Sequence, residues 1–383
     1  MQVPLLLTLA FCFWQSTTAL WSADKHEAIL QAGGMRFALM LFALFPLIRY
    51  RGWFALAIAA GFLLGNASQL AESVGLLPRA IDRSNAGASQ GRIGGWWPEV
   101  IGGEVLLAAL GLNLGAMYQG VRLAPANGKY RIWRIALISG LLACATLAGI
   151  VATGTRAAWI VAAVLIGLAA VCIIARIPSR KARVLIAVAA IGSTTALGLV
   201  AYAAAGEGVN RRVIDARNEI SRMVDRGEYQ TNTGLRIKMA QWAWQAFTEH
   251  PVRGIGVGGY RAYVLAKKPA AAGNELAAIE LFEREGHGHC HNALLQAMAT
   301  TGAPGMLLLA GAIVTALYAG FRRGSAGVKG GPLVLAYAAA APWALLAMCL
   351  LWPFDVVYIS AQTSAALFTA MALCPGWAPD HAR

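Results

Sequence analysis

The chain has 383 residues, of which 58% are hydrophobic and only 13% are charged. Its mean hydropathy of +0.57 is far above that of a soluble domain, so the composition excludes an ordinary globular protein. The formal net charge is +14, but thirteen of the basic residues fall in four short connections between apolar runs. That placement is typical of a membrane-orientation signal and gives no reason to expect a nucleic-acid partner.

Apolar runs long enough to cross a bilayer recur along most of the chain, and each predicts a membrane helix. We predict an all-α, polytopic integral membrane protein with about ten transmembrane helices and one large helical loop. The predicted spans are about 3–20, 34–48, 53–71, 98–119, 135–153, 157–175, 184–205, 303–320, 331–351 and 357–374. Three regions follow from them: amino-terminal helices in 1–205, a loop in 206–290 and carboxy-terminal helices in 291–383.

The charges of the connections predict which side each faces. The four basic connections, around Arg49, Arg122, Arg176 and Arg322, contain no Asp or Glu and share one parity in the predicted topology. The 206–290 loop has the other parity and mixes twelve Lys or Arg with ten Asp or Glu. The positive-inside rule therefore places the basic connections and both termini in the cytoplasm and the 206–290 loop outside.

The outer loop carries the patterns of three helices. Residues 208–227 and 233–249 have amphipathic spacing, and we expect these two helices to lie on the membrane surface or to cover the bundle. A third, short helix is predicted at 274–285. Before it, Gly254-Ile-Gly-Val-Gly-Gly-Tyr260 predicts a tight, exposed turn.

Two arginines on the outer side suggest an anion. Arg236 lies at the third position of a helix with Thr233 as its expected N-cap, where a positive charge is unfavourable. A bound phosphate would reverse that sign, because helix N–H groups and a guanidinium both bind phosphate oxygens. Arg156 lies in an outward hairpin after Thr153. The alternatives are that Arg236 points into water or pairs with an acid, and that Arg156 snorkels to the headgroups.

Three of the six histidines lie within five residues, at His287, His289 and His291, and Asn292 follows. Histidine takes or gives a proton near neutral pH, so this cluster indicates catalysis or a metal site. The thirty residues from His291 to Gly320 would form a helix about 45 Å long, whereas the bilayer core is about 30 Å thick. We predict that Gly302-Ala-Pro-Gly305 breaks it and that the nine residues before the break form a short helix.

These pieces, taken together in chain order, resemble the O-antigen ligase and polymerase superfamily. They are Arg156 in Gly-Thr-Arg-Ala-Ala, Arg236 in Leu-Arg-x5-Trp, the glycine turn at 254–260, and His289-x-His291-Asn292. The His-Asn pair, followed after nine residues by Gly-x-x-Gly, looks like the signature of lipopolysaccharide O-antigen ligases. The resemblance covers roughly residues 135 to 320. Many ligases have twelve spans where ten are predicted here, so the amino-terminal helices stay unassigned.

The resemblance implies a membrane glycosyltransferase that needs no nucleotide sugar, and we expect no cofactor. We also expect it to be metal-independent, because pyrophosphate is already a good leaving group and two arginines can stabilise its charge. Ligases of this family transfer a glycan from undecaprenyl pyrophosphate to a hydroxyl of lipid A-core, at the periplasmic face of the bacterial inner membrane. Arg156 and Arg236 would bind the pyrophosphate, and His291 would be the general base. Four further residues are expected to support the site: His289, Asn292, Gly256 and Tyr260. His287 lies outside the family pattern and is expected to be dispensable, and Glu104 is expected to form a structural salt bridge.

Three alternative functions stay open. An O-antigen or exopolysaccharide polymerase would share the superfamily and the donor but would use a second lipid-linked glycan as acceptor. A protein O-oligosaccharyltransferase is commonly longer, with a carboxy-terminal soluble region. A transporter would need polar residues along a path at mid-membrane, whereas the predicted spans are nearly free of charge.

Overall fold

The computed structural model describes residues 3–73, 75–78, 93–127, 130–176, 214–215 and 217–374, and within these ranges it contains helices and no strands. The α-helices, numbered in chain order, are α1 (Val3–Thr18), α2 (Lys25–Gly34), α3 (Met40–Ala43), α4 (Arg51–Ser73), α5 (Glu99–Asn127), α6 (Tyr130–Ala152), α7 (Arg156–Ile174), α8 (Asn232–Glu249), α9 (Tyr260–Leu265), α10 (Gly273–Arg284), α11 (Ala293–Arg323), α12 (Pro332–Leu350) and α13 (Ala361–Leu373). Residues 217–226 are also helical.

Seven helical segments in the described part are long and apolar enough to cross a membrane. They correspond to seven of the ten predicted spans and confirm a polytopic helical membrane protein. The prediction at 34–48 is wrong: two 3-10 turns, at Met35–Leu39 and Phe45–Tyr50, lie on either side of the four-residue α3, so one continuous α-helix does not span this stretch. In the span predicted at 357–374 the structure has only α13, which at thirteen residues is shorter than the seven membrane-length helices. The prediction at 184–205 lies outside the described residues.

Helices α5 and α12 form the centre of the bundle. They are buried over 83% and 72% of their apolar windows, whereas the other membrane-length helices are buried over only about a third of theirs. Glycine lets the two central helices approach closely, because a Cβ atom on Gly115 would lie 2.7 Å from the Trp343 ring. Small residues at helix contacts are the usual means of close packing in membranes. The remaining helices surround this pair and leave apolar faces exposed.

The described part of the loop predicted to face outward, residues 217–290 and here called the outer region, has a core of its own. One face of α8 is buried, as the amphipathic spacing predicts, and it consists of Leu235, Met239, Trp242, Ala243 and Ala246. This face packs against α9, α10 and the start of α11 through Tyr260, Phe282, Cys290 and Ala299. The predicted helices at 233–249 and 274–285 are therefore confirmed within a residue at each end. Part of the outer region is thus a packed unit, so residues at its edge have fixed positions.

The glycine turn is buried, so the prediction of an exposed turn is wrong. Gly256 has a φ of 90°, and a Cβ atom there would come within 2.7 Å of the Ser22 Cα atom. Next to it, the Val257 N–H donates to the Thr18 hydroxyl at 3.0 Å. Glycine is needed at this position both for its backbone conformation and for the close approach. The turn therefore fastens the outer core to the end of α1.

Two local predictions about helix boundaries have opposite outcomes. The break in α11 is confirmed: Gly302 has a non-helical φ of 68° and ψ of −174°, and Pro304 follows two residues later. The N-cap of α8 was predicted at Thr233, but the side chain of Thr231 accepts the capping hydrogen bond from Gly234. Arg236 is therefore the fifth residue of the helix and not the third. The reason is tertiary, since Thr233 binds a side chain from elsewhere in the chain.

Candidate active site

The backbone before α11 holds His291 in an unusual conformation. His291 has a φ of 52°, and it is the one non-glycine residue of the described chain with a positive φ. Such a conformation costs of order 1–3 kcal/mol and persists only where the surroundings enforce it. Asn292 caps α11 by accepting from Leu295 N–H at 3.0 Å, and the Ala293 N–H donates to the Trp352 carbonyl at 2.8 Å. The side chain of His291 is thereby directed toward the turn after α12.

An aspartate in that turn joins the histidines. The Asp355 Oδ1 atom lies 3.3 Å from His291 Nδ1 and 3.5 Å from His289 Nε2. The other ring nitrogen of His291, Nε2, lies 3.3 Å from His287 Nδ1. His287 in turn contacts the carboxylate of Glu285 at 3.1 Å. The cluster therefore contains all three histidines of the sequence motif, including His287, together with two carboxylates.

Burial makes His291 a neutral imidazole. Its pKa is lowered to about 4, mainly by desolvation, although the hydrogen bond from its ring to Asp355 opposes this shift. The nearby charge of Arg236 acts in the same direction as burial. Burial raises the pKa of Asp355, but hydrogen bonds from His289 and His291 outweigh it and hold that pKa well below its ordinary value. At neutral pH the pair is thus a carboxylate and an uncharged ring, the state that a general base requires.

The arrangement also sets the tautomer of His291. Because the Asp355 carboxylate accepts hydrogen bonds only, the proton of a neutral His291 ring belongs on Nδ1. The lone pair then lies on Nε2, on the side of the ring opposite Asp355. An aspartate that orients an imidazole in this way is a recurring part of acid–base catalysis.

Arg236 lies at the mouth of this cluster. Its side chain is exposed, and its guanidinium donates to the Phe354 carbonyl at 3.0 Å, one residue before Asp355. Beside Arg236 on α8 begins an apolar groove that runs between this helix and the start of α11, lined by Ile237, Ala240, Gln241, Trp244 and Leu295. The groove lining thus starts one residue after Arg236 along α8 and ends at Leu295, four residues after His291.

Arg156 is the first residue of α7, and it pairs with a carboxylate. Its Nη2 atom is 3.6 Å from Glu219 Oε1. The other oxygen of Glu219 accepts from the Thr233 N–H at 3.1 Å and from the Thr233 hydroxyl. Thr233 is in the first turn of α8, so Glu219 links Arg156 to the helix that carries Arg236. Arg156 thus pairs with an acid, an arrangement that was considered from the sequence for Arg236 and not for Arg156.

Glu104 faces the same cluster from the central helix α5. It is buried, and it hydrogen bonds to the carboxyl group of Asp355. A hydrogen bond between two carboxyl groups needs a proton, and the two histidines favour the charge on Asp355. The salt bridge expected for Glu104 is therefore not found among the described residues, where its carboxyl partner is Asp355 and Arg236 supplies a nearby positive charge.

The two remaining predicted residues support the site from a distance. Tyr260 is fully buried, and its hydroxyl donates to the Met239 carbonyl of α8 at 2.6 Å. Its ring packs edge-on against Phe282, and Phe282 in turn packs against the ring of His287. Gly256 acts through the fastening of the glycine turn and contacts Ser22 instead of the histidines.

Sequence reasoning missed Asp355, Glu285 and Glu219 as members of the site. Asp355 had a visible signal, because Trp352-Pro-Phe-Asp355 places an acid between two apolar runs on the predicted outer side. Glu285 had only its closeness in sequence to His287. Glu219 had none, since its partner Arg156 lies 63 residues away along the chain.

Metal ligation is a second possible use of the cluster. One donor atom from each of His289, His291 and Asp355 lies within 4.8 Å of the others. Two imidazoles and a carboxylate suit zinc, which ordinarily takes three protein ligands at a catalytic site. The same three groups equally form a hydrogen-bonded base with its orienting acid, and chemistry has to distinguish the two.

The described fold and this cluster define the class: a polytopic helical membrane protein with a histidine–aspartate site at the junction of its outer core and its helix bundle. Residues 140–310 match the family model described as O-antigen ligase, which confirms the predicted family for this part of the chain. The match includes Arg156, Arg236 and the histidine motif, and Asp355 lies beyond it. No curated protein matches the chain.

Proposed function

We propose that the protein is an O-antigen ligase. It transfers a glycan from undecaprenyl pyrophosphate to a hydroxyl of lipid A-core, at the periplasmic face of the bacterial inner membrane. The observation that carries the proposal is the contact of neutral, largely buried His291 with Asp355 beside the exposed guanidinium of Arg236. The family match supports a ligase or a polymerase. The topology, with basic connections in the cytoplasm and the outer region in the periplasm, belongs to the same proposal.

Two chemical requirements of this transfer fit two parts of the site. The acceptor hydroxyl must lose its proton as it attacks the anomeric carbon, and His291 Nε2 takes that proton while Asp355 stabilises the resulting imidazolium. The bond from the anomeric carbon to the pyrophosphate oxygen breaks, and the guanidinium of Arg236 neutralises the departing charge. A positioned base and charge stabilisation of this kind each accelerate reactions by roughly 10²–10⁴-fold.

Arg156 completes the anion site in this proposal. Glu219 now occupies the side of its guanidinium that faces α8. A pyrophosphate carries more charge than one carboxylate, so it can compete for Arg156, and the N-terminal turn of α8 adds N–H groups that suit phosphate oxygens. His289 assists by sharing Asp355 with His291.

The apolar groove supports a lipid-linked donor. It begins beside Arg236 at Ile237 and reaches Leu295, only four residues after His291. A prenyl chain in this groove would bring its pyrophosphate end to the arginine and its glycan toward the histidines. Burial of apolar chain surface contributes about 25 cal/mol per Å².

We propose that the reaction proceeds without a metal. Pyrophosphate is already a good leaving group, and two arginines can stabilise its charge. The contact of His291 with Asp355 is also satisfied as a hydrogen bond without an ion.

The test is a gel of lipopolysaccharide from a deletion strain, with and without the gene restored. A ligase predicts that the deletion removes the whole polymer ladder from lipid A-core and leaves free lipid-linked polymer. A product of core plus a single repeat would instead assign the protein as a polymerase, and an unchanged ladder would contradict both.

A further inference from the structure

Two histidines and an aspartate of the cluster have the spacing of metal ligands. The Asp355 Oδ1 atom lies 3.3 Å from His291 Nδ1 and 3.5 Å from His289 Nε2. Ligand atoms at about 2.0–2.2 Å from a tetrahedral zinc ion lie roughly 3.3 Å from one another. One donor atom from each of the three residues also lies within 4.8 Å of the others. A small rotation of the half-exposed His289 ring would therefore bring all three donors around one ion.

The hydrogen bonds that lead away from these donors are complete when an ion occupies the site. Asp355 contacts His291 at 3.3 Å, and the far nitrogen of His291 lies 3.3 Å from His287. His287 contacts the Glu285 carboxylate at 3.1 Å. Each of the three gaps needs one N–H, because the two end groups accept only, but two neutral imidazoles have two N–H groups between them. With an ion on His291 Nδ1, the two ring protons fill the other two gaps, and the metal bond replaces the third.

The groups behind the donors are of the kind that support metal ligands. A ligating histidine ordinarily donates its other ring N–H to a neighbouring acceptor, and a ligating carboxylate is itself hydrogen bonded. His287 Nδ1 is in place as the acceptor for His291 Nε2. The Asp355 Oδ1 atom accepts from the Val356 N–H at 2.7 Å. The direction of both ligands is therefore set before an ion arrives.

The donor types select zinc among divalent cations. Imidazole and carboxylate donors suit zinc, whereas magnesium and calcium take mainly oxygen ligands. Three protein ligands leave the fourth position of a tetrahedral ion to water. Arg236 opposes a cation here, but its side chain is exposed to solvent, which screens its charge. The Asp355 carboxylate is only 17% exposed, so its attraction for an ion is screened less.

From this geometry we propose that His289 Nε2, His291 Nδ1 and Asp355 Oδ1 form an inhibitory zinc site, an inference that rests on the proposed function. The ion takes the lone pair of His291 Nδ1, so the single proton of the neutral ring lies on Nε2. His291 Nε2 then has no lone pair for the acceptor hydroxyl. The ion also engages the Asp355 charge that would stabilise an imidazolium. The metal-free protein is the active form, and zinc inhibits it without taking part in the reaction.

Zinc binding is measured first, without any substrate. Protein purified in detergent and stripped of metals with a chelator is titrated with zinc chloride in a calorimeter. His289→Ala and Asp355→Asn each remove a ligand, so each should lower the affinity by more than the roughly 10–100-fold that loss of an outer partner causes. His287→Ala removes such an outer partner and should lower the affinity by about tenfold. His26→Ala removes an exposed histidine outside the cluster and should bind zinc like the wild type.

Inhibition is measured with undecaprenyl-pyrophosphate-linked glycan extracted from the producing cells and with lipid A-core. Saturating zinc should lower transfer by the wild type roughly 10²–10⁴-fold, the contribution of a general base, and EDTA should restore it. Magnesium at the same concentration should have no such effect. The transfer that His289→Ala retains should need about 100-fold more zinc for half inhibition than the wild type needs. Both proteins meet the same substrates, so zinc held by substrate phosphates cannot produce this difference.

The outcomes separate the zinc site from the proposed function. Absence of zinc binding, or equal binding by the wild type, His289→Ala and Asp355→Asn, would overturn the site. Full transfer by the zinc-loaded wild type would overturn the inhibition, and so would a loss on chelation that zinc restores, which would make the ion catalytic. By contrast, absence of any transfer by the metal-free wild type, or full activity of His291→Ala, would refute the proposed function. The calorimetry would still decide whether the site binds zinc.

Discussion

The contact between Asp355 and His291 makes the sharpest prediction about catalysis. Asp355→Asn replaces the carboxylate by an amide of the same shape, so the turn after α12 should keep its fold. The amide can present either its oxygen or its NH₂ group to His291 Nδ1. It therefore no longer dictates that the ring proton lies on Nδ1, and it carries no charge to stabilise the imidazolium.

The size of the effect follows from the contacts in the structure. Asp355 raises the pKa of His291 against the burial that lowers it to about 4, so its loss lowers that pKa further and leaves a weaker base. A hydrogen bond to a charged group contributes about 1.5–3 kcal/mol, and each 1.4 kcal/mol corresponds to about tenfold in rate. We therefore expect kcat to fall roughly 10- to 150-fold on this reasoning. His291→Ala should cost more, because it removes the base altogether.

The assay is transfer of extracted lipid-linked glycan to lipid A-core by protein purified in detergent, with product quantified on gels across pH. Asp225→Asn is the matched control, because Asp225 is an exposed carboxylate of the outer region bonded only to Ser221 in the described part of the chain. The variant should reach the membrane in normal amounts. Asp355→Asn with kcat within twofold of the wild type would refute the assignment of Asp355 as the residue that orients His291.

Four further predictions concern the arginines, the metal, the topology and the stability. Arg236→Lys and Arg156→Lys should each lower kcat/KM by about tenfold while the protein still reaches the membrane, because lysine loses a forked hydrogen bond of about 1–1.5 kcal/mol; near-normal transfer by both would leave them as surface residues. Transfer should survive EDTA, and a loss that zinc restores would instead favour a metal at the cluster. Reporter fusions should read cytoplasmic at Ser325 and periplasmic at Gly273, and the reverse pattern would contradict the proposed site of reaction. The pKa of His291 is lowered in the folded state, so the unfolded chain binds the proton first as pH falls. The free energy of unfolding should therefore decrease by about 3 kcal/mol as pH drops from about 6.5 through about 4. Melting curves should show a smaller decrease of this free energy at acid pH for His291→Gln.

The membrane class and the histidine motif were readable from the sequence because both depend on local patterns. Length and apolarity of a run predict a membrane helix without knowledge of its neighbours, and seven of the predicted spans were found in this way. The break at Gly302 and Pro304 was likewise local, since it follows from backbone preferences. The prediction at 34–48 failed because hydropathy measures only how apolar a stretch is and does not show whether its helix is continuous.

The partners of the candidate residues were not readable from the sequence. Thr233 has every feature of an N-cap, yet it binds Glu219, and Thr231 caps the helix instead. His287 lies outside the family pattern, yet it contacts His291 directly. In the first case a side chain from a separate helix competes with the local capping preference. In the second case the backbone conformation near His291, with its φ of 52°, decides which rings meet.

The sequence by itself determined that this chain is a helical membrane protein, that its histidines precede a broken helix, and that its motifs resemble those of O-antigen ligases. Only the tertiary structure decided which ring nitrogen of His291 faces a carboxylate and which one keeps its lone pair. That depends on Asp355, which is 64 residues away in the chain and reaches the ring only because the turn after α12 meets the start of α11. Hydropathy and backbone preference act over a few residues, whereas the pKa and tautomer of a buried ring depend on whatever the fold places within a few ångströms of it.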